Sequence, residues 1–165
     1  MQDRDTTLIG HLKDAWAFET RLLDLVLEQV KGCADAPSRR MYREHARLTK
    51  TQCQRIQRRL ELLGEHVLGE ESGWFSDRLK RLAVEVAVMD VWRDESIQRL
   101  ITSYGIKQLE CNMYRSLLDL AESTDDEATA SLARTSLEEE EATARRLLFC
   151  IGMATRGTES KSNAA

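Results

Sequence analysis

The sequence predicts an all-α protein: four long helices in a bundle, with one long crossover that carries a short extra helix. Three observations predict it. The 165-residue chain has one proline and eight glycines, so little in it interrupts a helix. Apolar residues recur at i, i+3, i+4 and i+7 over four long stretches, the mark of helices with one core-facing stripe. The connections run short, long, short, which gives two helical hairpins joined by a crossover.

The first helix spans about Thr6 to Lys31 and stops at Gly32, a residue suited to a helix C-terminus. "ADAPS" follows, with Asp35 or Ser38 as cap and Pro37 near the first turn of the next helix. That helix runs from about Arg39 to Leu63, with Gly64 as its stop. "GEHVLGEESGW" reads as a glycine-punctuated loop, after which Ser76 caps a shorter helix reaching about Met89. Its stripe is Leu79, Leu82, Ala83, Val86 and Ala87. The third long helix runs from about Glu95 to Ala121. Thr124 with Glu127 three residues later forms a capping-box pattern, and the fourth helix continues to about Met153. Residues 1–153 are therefore expected to form one bundle domain and 154–165 a disordered polar tail.

Apolar residues make up 42% of the chain and charged residues 32%, enough to bury a core behind a polar surface. The net charge of −4 argues against nucleic acid and anionic membranes as partners. "MQDRDTT" lacks the apolar run of a signal peptide, and no stretch approaches a membrane span. The cysteines, Cys33, Cys53, Cys111 and Cys150, are far apart with no CxxC. They read as small buried hydrophobes in a reducing cytoplasm.

Function is sought in the polar residues that intrude on apolar stripes. In "LKDAWAFETRLLDLV" the stripe is Leu12, Ala15, Trp16, Leu22, Leu23 and Val26, and Glu19 falls inside it. A carboxylate in a core costs several kcal/mol (about 2–7 for even a neutral polar group) unless something compensates it. On the second helix the stripe Met41, Leu48, Ile56, Leu60 and Leu63 is interrupted by His45 and Gln52. On the third, Ile106, Met113 and Leu117 bracket Glu110. On the fourth, Ala133, Leu137, Ala144, Leu147, Leu148 and Ile151 bracket Glu140, one of the run Glu138 to Glu141. Facing helices that each project a carboxylate can hold a divalent ion in a bundle core. The alternatives are a solvated charge run for Glu140 and hydrogen-bonded core residues for His45 and Gln52. The Glu-x-x-His pair of full di-iron sites is absent. Trp16, Trp74, Trp92, Tyr104 and Tyr114 read as packing residues.

These stretches resemble the YciE/YciF family of the ferritin-like superfamily. Leu12, Asp14, Trp16, Glu19 and Leu22 fall in register with its first-helix signature L-x-D-L-Y-x-A-E-x-Q-L. Tyr42, His45, Thr49, Gln52 and Arg55 match its second-helix pattern. "LECNMYRSL" is similar to its third-helix motif through Glu110 and Tyr114, and "SLEEEEATARRL" to its fourth through Leu137, Glu139, Glu140 and Leu147. The resemblance covers about residues 8–151, and implies a ferritin-like four-helix bundle. It carries metal positions to Glu19, Glu110 and Glu140, with Gln52 as a partner and His45 as a further candidate; the metal would be iron or manganese.

The departures are as informative. The family's second-helix glutamate falls at Leu48, the acidic residue of its last helix at Ala144, and the Glu and His before its third-helix glutamate at Lys107 and Gln108. If Lys107 points inward, its ammonium takes the place of a cation, pairing with Glu19 or Glu110. The expectation is thus a bundle with a degenerate di-metal carboxylate site, a stress-linked binding or structural role, and a homodimeric state. The alternative is a di-iron or di-manganese oxidase or peroxide-consuming protein. Iron storage demands a ferroxidase centre and a cage-forming surface, and the sequence offers neither.

Overall fold

The computed structural model describes residues 2–32, 36–66 and 95–162. The expected crossover helix between Ser76 and Met89 lies outside the described residues, as do Trp74, Trp92 and Cys33. Four α-helices account for nearly all of the rest: α1 (Gln2–Gly32), α2 (Ala36–Leu62), α3 (Glu95–Ser123) and α4 (Glu127–Ser162). α1 packs on α2 and α3 on α4, and the two hairpins meet through α1–α3 and α2–α4 contacts.

Cross-helix contacts fix the directions. Gln52 meets Glu140, Arg55 meets Ser136 and Glu139, and Arg59 meets Asp126. Numbers rise along α2 as they fall along α4, so these two run antiparallel. Lys13 meets Glu65 and Thr20 meets Cys53, and Lys107 meets Glu140 while Glu122 meets Arg134, so each hairpin is antiparallel too and the order is up, down, down, up. α2 therefore ends at one end of the bundle and α3 begins at the other.

The turns show why the helices end where they do. Gly64 has φ +81°, and Glu65 N–H donates to Leu60 O while Gly64 N–H donates to Glu61 O. This is a Schellman motif with glycine in the left-handed position. The same pattern closes α3 around Asp125, with φ +56°, Asp126 N–H donating to Ala121 O and Asp125 N–H to Glu122 O. Thr124 is therefore part of the α3 terminus, its hydroxyl donating to Leu120 and Ala121 carbonyls. The Thr124–Glu127 capping box is thus corrected: Asp126 caps α4. Its Oδ1 accepts from Thr129 N–H at 3.0 Å, and its Oδ2 accepts from the Thr129 hydroxyl at 3.0 Å and from Arg59 at 2.6 Å. Arg59 also donates through Nε to Thr129 Oγ1 at 2.8 Å. We expect Asp126→Ala to lower unfolding stability by about 1–2 kcal/mol, the usual value of an N-cap, measured by urea unfolding followed by circular dichroism.

α4 extends to Ser162, past the expected end at Met153. No proline interrupts this stretch, and its one glycine, Gly157, lowers helix propensity by about 1 kcal/mol without barring the helix.

The core forms two apolar clusters. One gathers Leu8, Leu12, Ala15, Ile56, Leu60, Tyr114, Leu117, Ala121, Ala130, Leu132 and Ala133 around the end of the bundle that holds the α3–α4 turn. The other gathers Phe18, Leu22, Val26, Tyr42 and Ala46. Between them lies a layer of polar side chains. The α1 stripe buries Leu8, Leu12, Ala15, Glu19, Leu22 and Val26 as its spacing predicts. On α3 the buried line is Lys107, Glu110, Cys111, Tyr114, Leu117 and Ala121, while Ile106 and Met113 flank it half-buried. On α4 Leu148 is 54% exposed, outside the stripe assigned to it. Cys53 and Cys111 are buried and Cys150 is exposed, which corrects its assignment to the core. Among the described residues no helix is long and apolar enough to cross a membrane.

Candidate functional site: a buried carboxylate–ammonium layer

Each helix sends at least one polar group into the layer. Glu19 on α1, Gln52 on α2, Lys107 and Glu110 on α3, and Glu140 on α4 are all 0% exposed. The structure therefore brings together the four positions read from the sequence. Glu19 lies one turn from Ala15 of the first cluster and about one turn from Leu22 of the second, and Gln52 and Glu110 each lie one turn from a buried residue of the first cluster, Ile56 and Tyr114.

Lys107 is the hub. Its Nζ lies 2.9 Å from Glu110 Oε1, 2.7 Å from Glu110 Oε2 and 2.6 Å from Glu140 Oε2. The sequence offered Glu19 or Glu110 as its partner; the structure gives Glu110 and Glu140. Burial opposes the ammonium charge, but the two carboxylates outweigh it and hold the lysine above its ordinary pKa. Burial pushes the Glu110 carboxyl well up, against the pull of Lys107 and with the added repulsion of Glu140 and Glu19.

Gln52 extends the layer across the α2–α4 interface. Its Nε2 donates to Glu140 Oε1 at 2.7 Å and to Glu139 Oε2 at 3.2 Å. Arg55 grips Glu139 as a fork, with Nη1–Oε2 and Nη2–Oε1 both at 3.0 Å, and Nη1 also donates to Ser136 Oγ at 2.7 Å. Bidentate geometry of this kind is among the stronger ion-pair arrangements. Of the run Glu138 to Glu141, then, Glu140 turns fully inward and Glu139 sits at the rim with Arg55. Glu141 pairs outside with Arg115 at 2.9 Å.

Glu19 stands apart from the lysine. Tyr114 donates its hydroxyl to Glu19 Oε1 at 2.6 Å, and Oε2 has no hydrogen-bond partner among the described residues. Burial raises the Glu19 pKa to about 8, against the Tyr114 hydrogen bond and with repulsion from Glu140. At neutral pH it is mostly a neutral carboxylic acid. Tyr114, assigned to packing from the sequence, thus serves as a hydrogen-bond donor to the layer; its 0% exposure and distance of 2.6 Å from Glu19 Oε1 give it that role. Thr49 Oγ1 and Gln52 Oε1 are likewise buried without a partner.

His45 lies beside rather than within the layer. It lines a cavity of about 210 Å³ with Met41, Leu48, Ser103, Thr143 and Cys150, among others. Burial, with Lys107 nearby, depresses its pKa to about 3, so the imidazole is neutral. Cys53 sits behind Glu19, its Sγ accepting from the Thr20 hydroxyl at 3.9 Å, and burial pushes its thiol up to about 12.

Iron or manganese needs carboxylate oxygens free to converge on one point. Here both oxygens of Glu110 and one of Glu140 face an ammonium, and Glu140 Oε1 accepts from an amide. Among the described residues no group of three or more His, Cys, Asp or Glu is arranged to hold a metal. The residues present do not fit a di-metal centre with Lys107 in place. Signals for this were in the sequence: Lys107 precedes Glu110 by three residues and Tyr114 follows by four, so all three share a face.

Fold and site together define an all-α, up–down–down–up bundle with a carboxylate-bearing core. The chain belongs to the DUF892 family, a domain of unknown function, whose model matches residues 3–160. No curated protein matches. Among solved structures, a protein (XCC3681) from Xanthomonas campestris pv. campestris is similar at 22% identity and a TM-score of 0.75, covering 97% of this chain and 99% of that one. The E. coli stress protein YciF is similar at 20% identity and a TM-score of 0.75, covering 92% and 96%. YcfI from Rhodopseudomonas palustris is similar at 19% identity and a TM-score of 0.71, covering 87% and 92%. The YciE/YciF-like reading of the sequence agrees with the family match and with these neighbours.

Proposed function

We propose that this chain is a YciF-like bundle whose di-metal carboxylate site is degenerate, with the Lys107 ammonium standing where the cation would be. Its role is binding or structural, linked to stress, rather than oxygen or peroxide chemistry. One observation carries this reading: Nζ of Lys107 lies within 2.6–2.9 Å of carboxylate oxygens from two helices. A positive charge built into the chain offsets the acids of the layer and occupies the point on which they converge, in place of the open coordination position that metal catalysis needs. The stress connection is supported only by the likeness to YciF.

The experiment is elemental analysis of protein purified without chelator, paired with melting in the presence and absence of EDTA. The expected outcome is iron and manganese far below one equivalent per chain and an unchanged Tm. A metal bound only to the folded state would instead raise Tm, and chelation would lower it. Two equivalents per chain would overturn the proposal in favour of an oxidase or peroxidase.

A further inference from the structure

The net charge of −4 conceals a separation of charge between helices. α2 carries eight Lys or Arg against two Glu, a formal +6 on one element of an acidic chain. Two of those cations turn inward: Arg55 is engaged by Glu139 and Arg59 by Asp126. Five others, Arg40, Arg43, Arg47, Lys50 and Arg58, are exposed and form no ion pair with a described residue. At about 100° per residue they fall within an arc of about 80°, and from Arg40 to Arg58 the row is about 27 Å long. Glu44 flanks it on one side, and Glu61 follows beyond Arg58. Arg40, Arg43 and Arg47 also face a surface recess of about 710 Å³ with Glu44.

We infer that this row is a docking surface for the phosphodiester backbone of nucleic acid, bound without regard to sequence. Charge complementarity selects a polyanion. Three features select nucleic acid among polyanions. A stable protein interface needs an apolar or aromatic core, and the exposed row offers only charged and amide side chains with Thr51 between them. A membrane-surface helix inserts an apolar face, whereas the apolar face of α2, with Tyr42, Ala46, Cys53, Ile56 and Leu60, is buried in the bundle. Four of the five cations are arginine, whose planar fork matches phosphate oxygens better than lysine does. The straight rod holds them along a line that several successive phosphates can follow. The expectation of no nucleic-acid partner rested on whole-chain charge; the arrangement of that charge on the folded surface replaces it here.

The test is fluorescence anisotropy of the intact protein with a fluorescein-labelled DNA duplex long enough to span the row. Neutralising three to five phosphates predicts a log–log salt slope of about −3 to −4.5, and an affinity loss of roughly a hundredfold between about 50 and 200 mM salt. Arg40→Gln, Arg43→Gln, Arg47→Gln and Lys50→Gln combined should reduce affinity at least tenfold and flatten the slope. The charge-matched control Arg115→Gln, Arg134→Gln, Arg145→Gln and Arg146→Gln, on other exposed faces, should leave the row's contribution intact. Circular dichroism verifies that both variants fold. Absence of binding at the lower salt, equal weakening by both variants, or tighter binding to phosphatidylglycerol vesicles or polyglutamate than to DNA would each overturn the inference.

Discussion

Lys107→Leu should lower the unfolding stability of the bundle by about 3–5 kcal/mol at neutral pH. Removing one partner of a buried ion pair leaves the others uncompensated, and that is the range such deletions give. Lys107 has carboxylate contacts on both α3 and α4, so the deletion strands two acids. Folding of the variant must then take up protons that the unfolded chain has released, and by linkage its stability falls more steeply with rising pH than that of the parent. The deficit is therefore expected to shrink on acidification towards pH 5. Two further results follow from the same electrostatics. Adding Glu110→Gln and Glu140→Gln to Lys107→Leu should recover most of the loss, because the stranded charges are gone. Millimolar manganese or zinc should stabilise the single variant and leave the parent unmoved. The checks are urea unfolding across pH and melting with and without metal. A neutral effect of Lys107→Leu would place its ammonium in water.

Glu19→Gln should remove a large part of the pH dependence of stability between about pH 4.5 and 8. The sign follows from the raised pKa. An unfolded glutamate releases its proton near pH 4.3, whereas buried Glu19 keeps it to about 8. Across that window the native state binds more protons than the unfolded state, so stability is greatest below it and declines as pH rises through it, levelling off above 8. The decline is on the order of a few kcal/mol, because each tenfold difference in proton affinity between the two states is worth about 1.4 kcal/mol. Glutamine is neutral at every pH, and its carbonyl can still accept from Tyr114, so the variant should match the parent near pH 5 and exceed it near pH 8. His45 works in the opposite sense. Its pKa is depressed to about 3, so the unfolded state binds the extra proton below about 6.5 and stability falls on acidification. The difference between parent and variant profiles isolates Glu19. Parallel profiles would mean that its carboxyl is solvated.

How much of this was visible in the sequence differs between scaffold and site. α1 was legible because its apolar stripe is regular on both sides of Glu19, and the one intruder stood out. Gly64 marked the end of α2 because a left-handed residue there favours glycine over other side chains. α3 was the hardest helix to phase. Three polar groups, Lys107, Glu110 and Tyr114, share its buried line with Leu117 and Ala121, so hydrophobicity alone pointed a residue off, to Ile106 and Met113. The Thr124 assignment failed for a different reason. Thr124, Asp125 and Asp126 are all residues with cap chemistry, and only backbone geometry distinguishes the one that ends α3 from the one that starts α4. The convergence of Glu19, Gln52, Glu110 and Glu140 was read from their stripes and their resemblance to a known pattern. Which acid the lysine would choose depended on the register of α3 against α4, which no local spacing encodes.

Central to the site is a protonated Lys107 amine locked between Glu110 and Glu140 in a dry layer. The most direct measurement is NMR of protein carrying 15N-labelled lysine side chains. A buried, multiply hydrogen-bonded ammonium exchanges its protons slowly, whereas an exposed one exchanges too fast to be seen at neutral pH. One protected ammonium resonance at pH 7, lost in Lys107→Arg and persisting through alkaline titration beyond the exposed lysines, is the predicted result. No protected resonance, with all lysines titrating together, would contradict it.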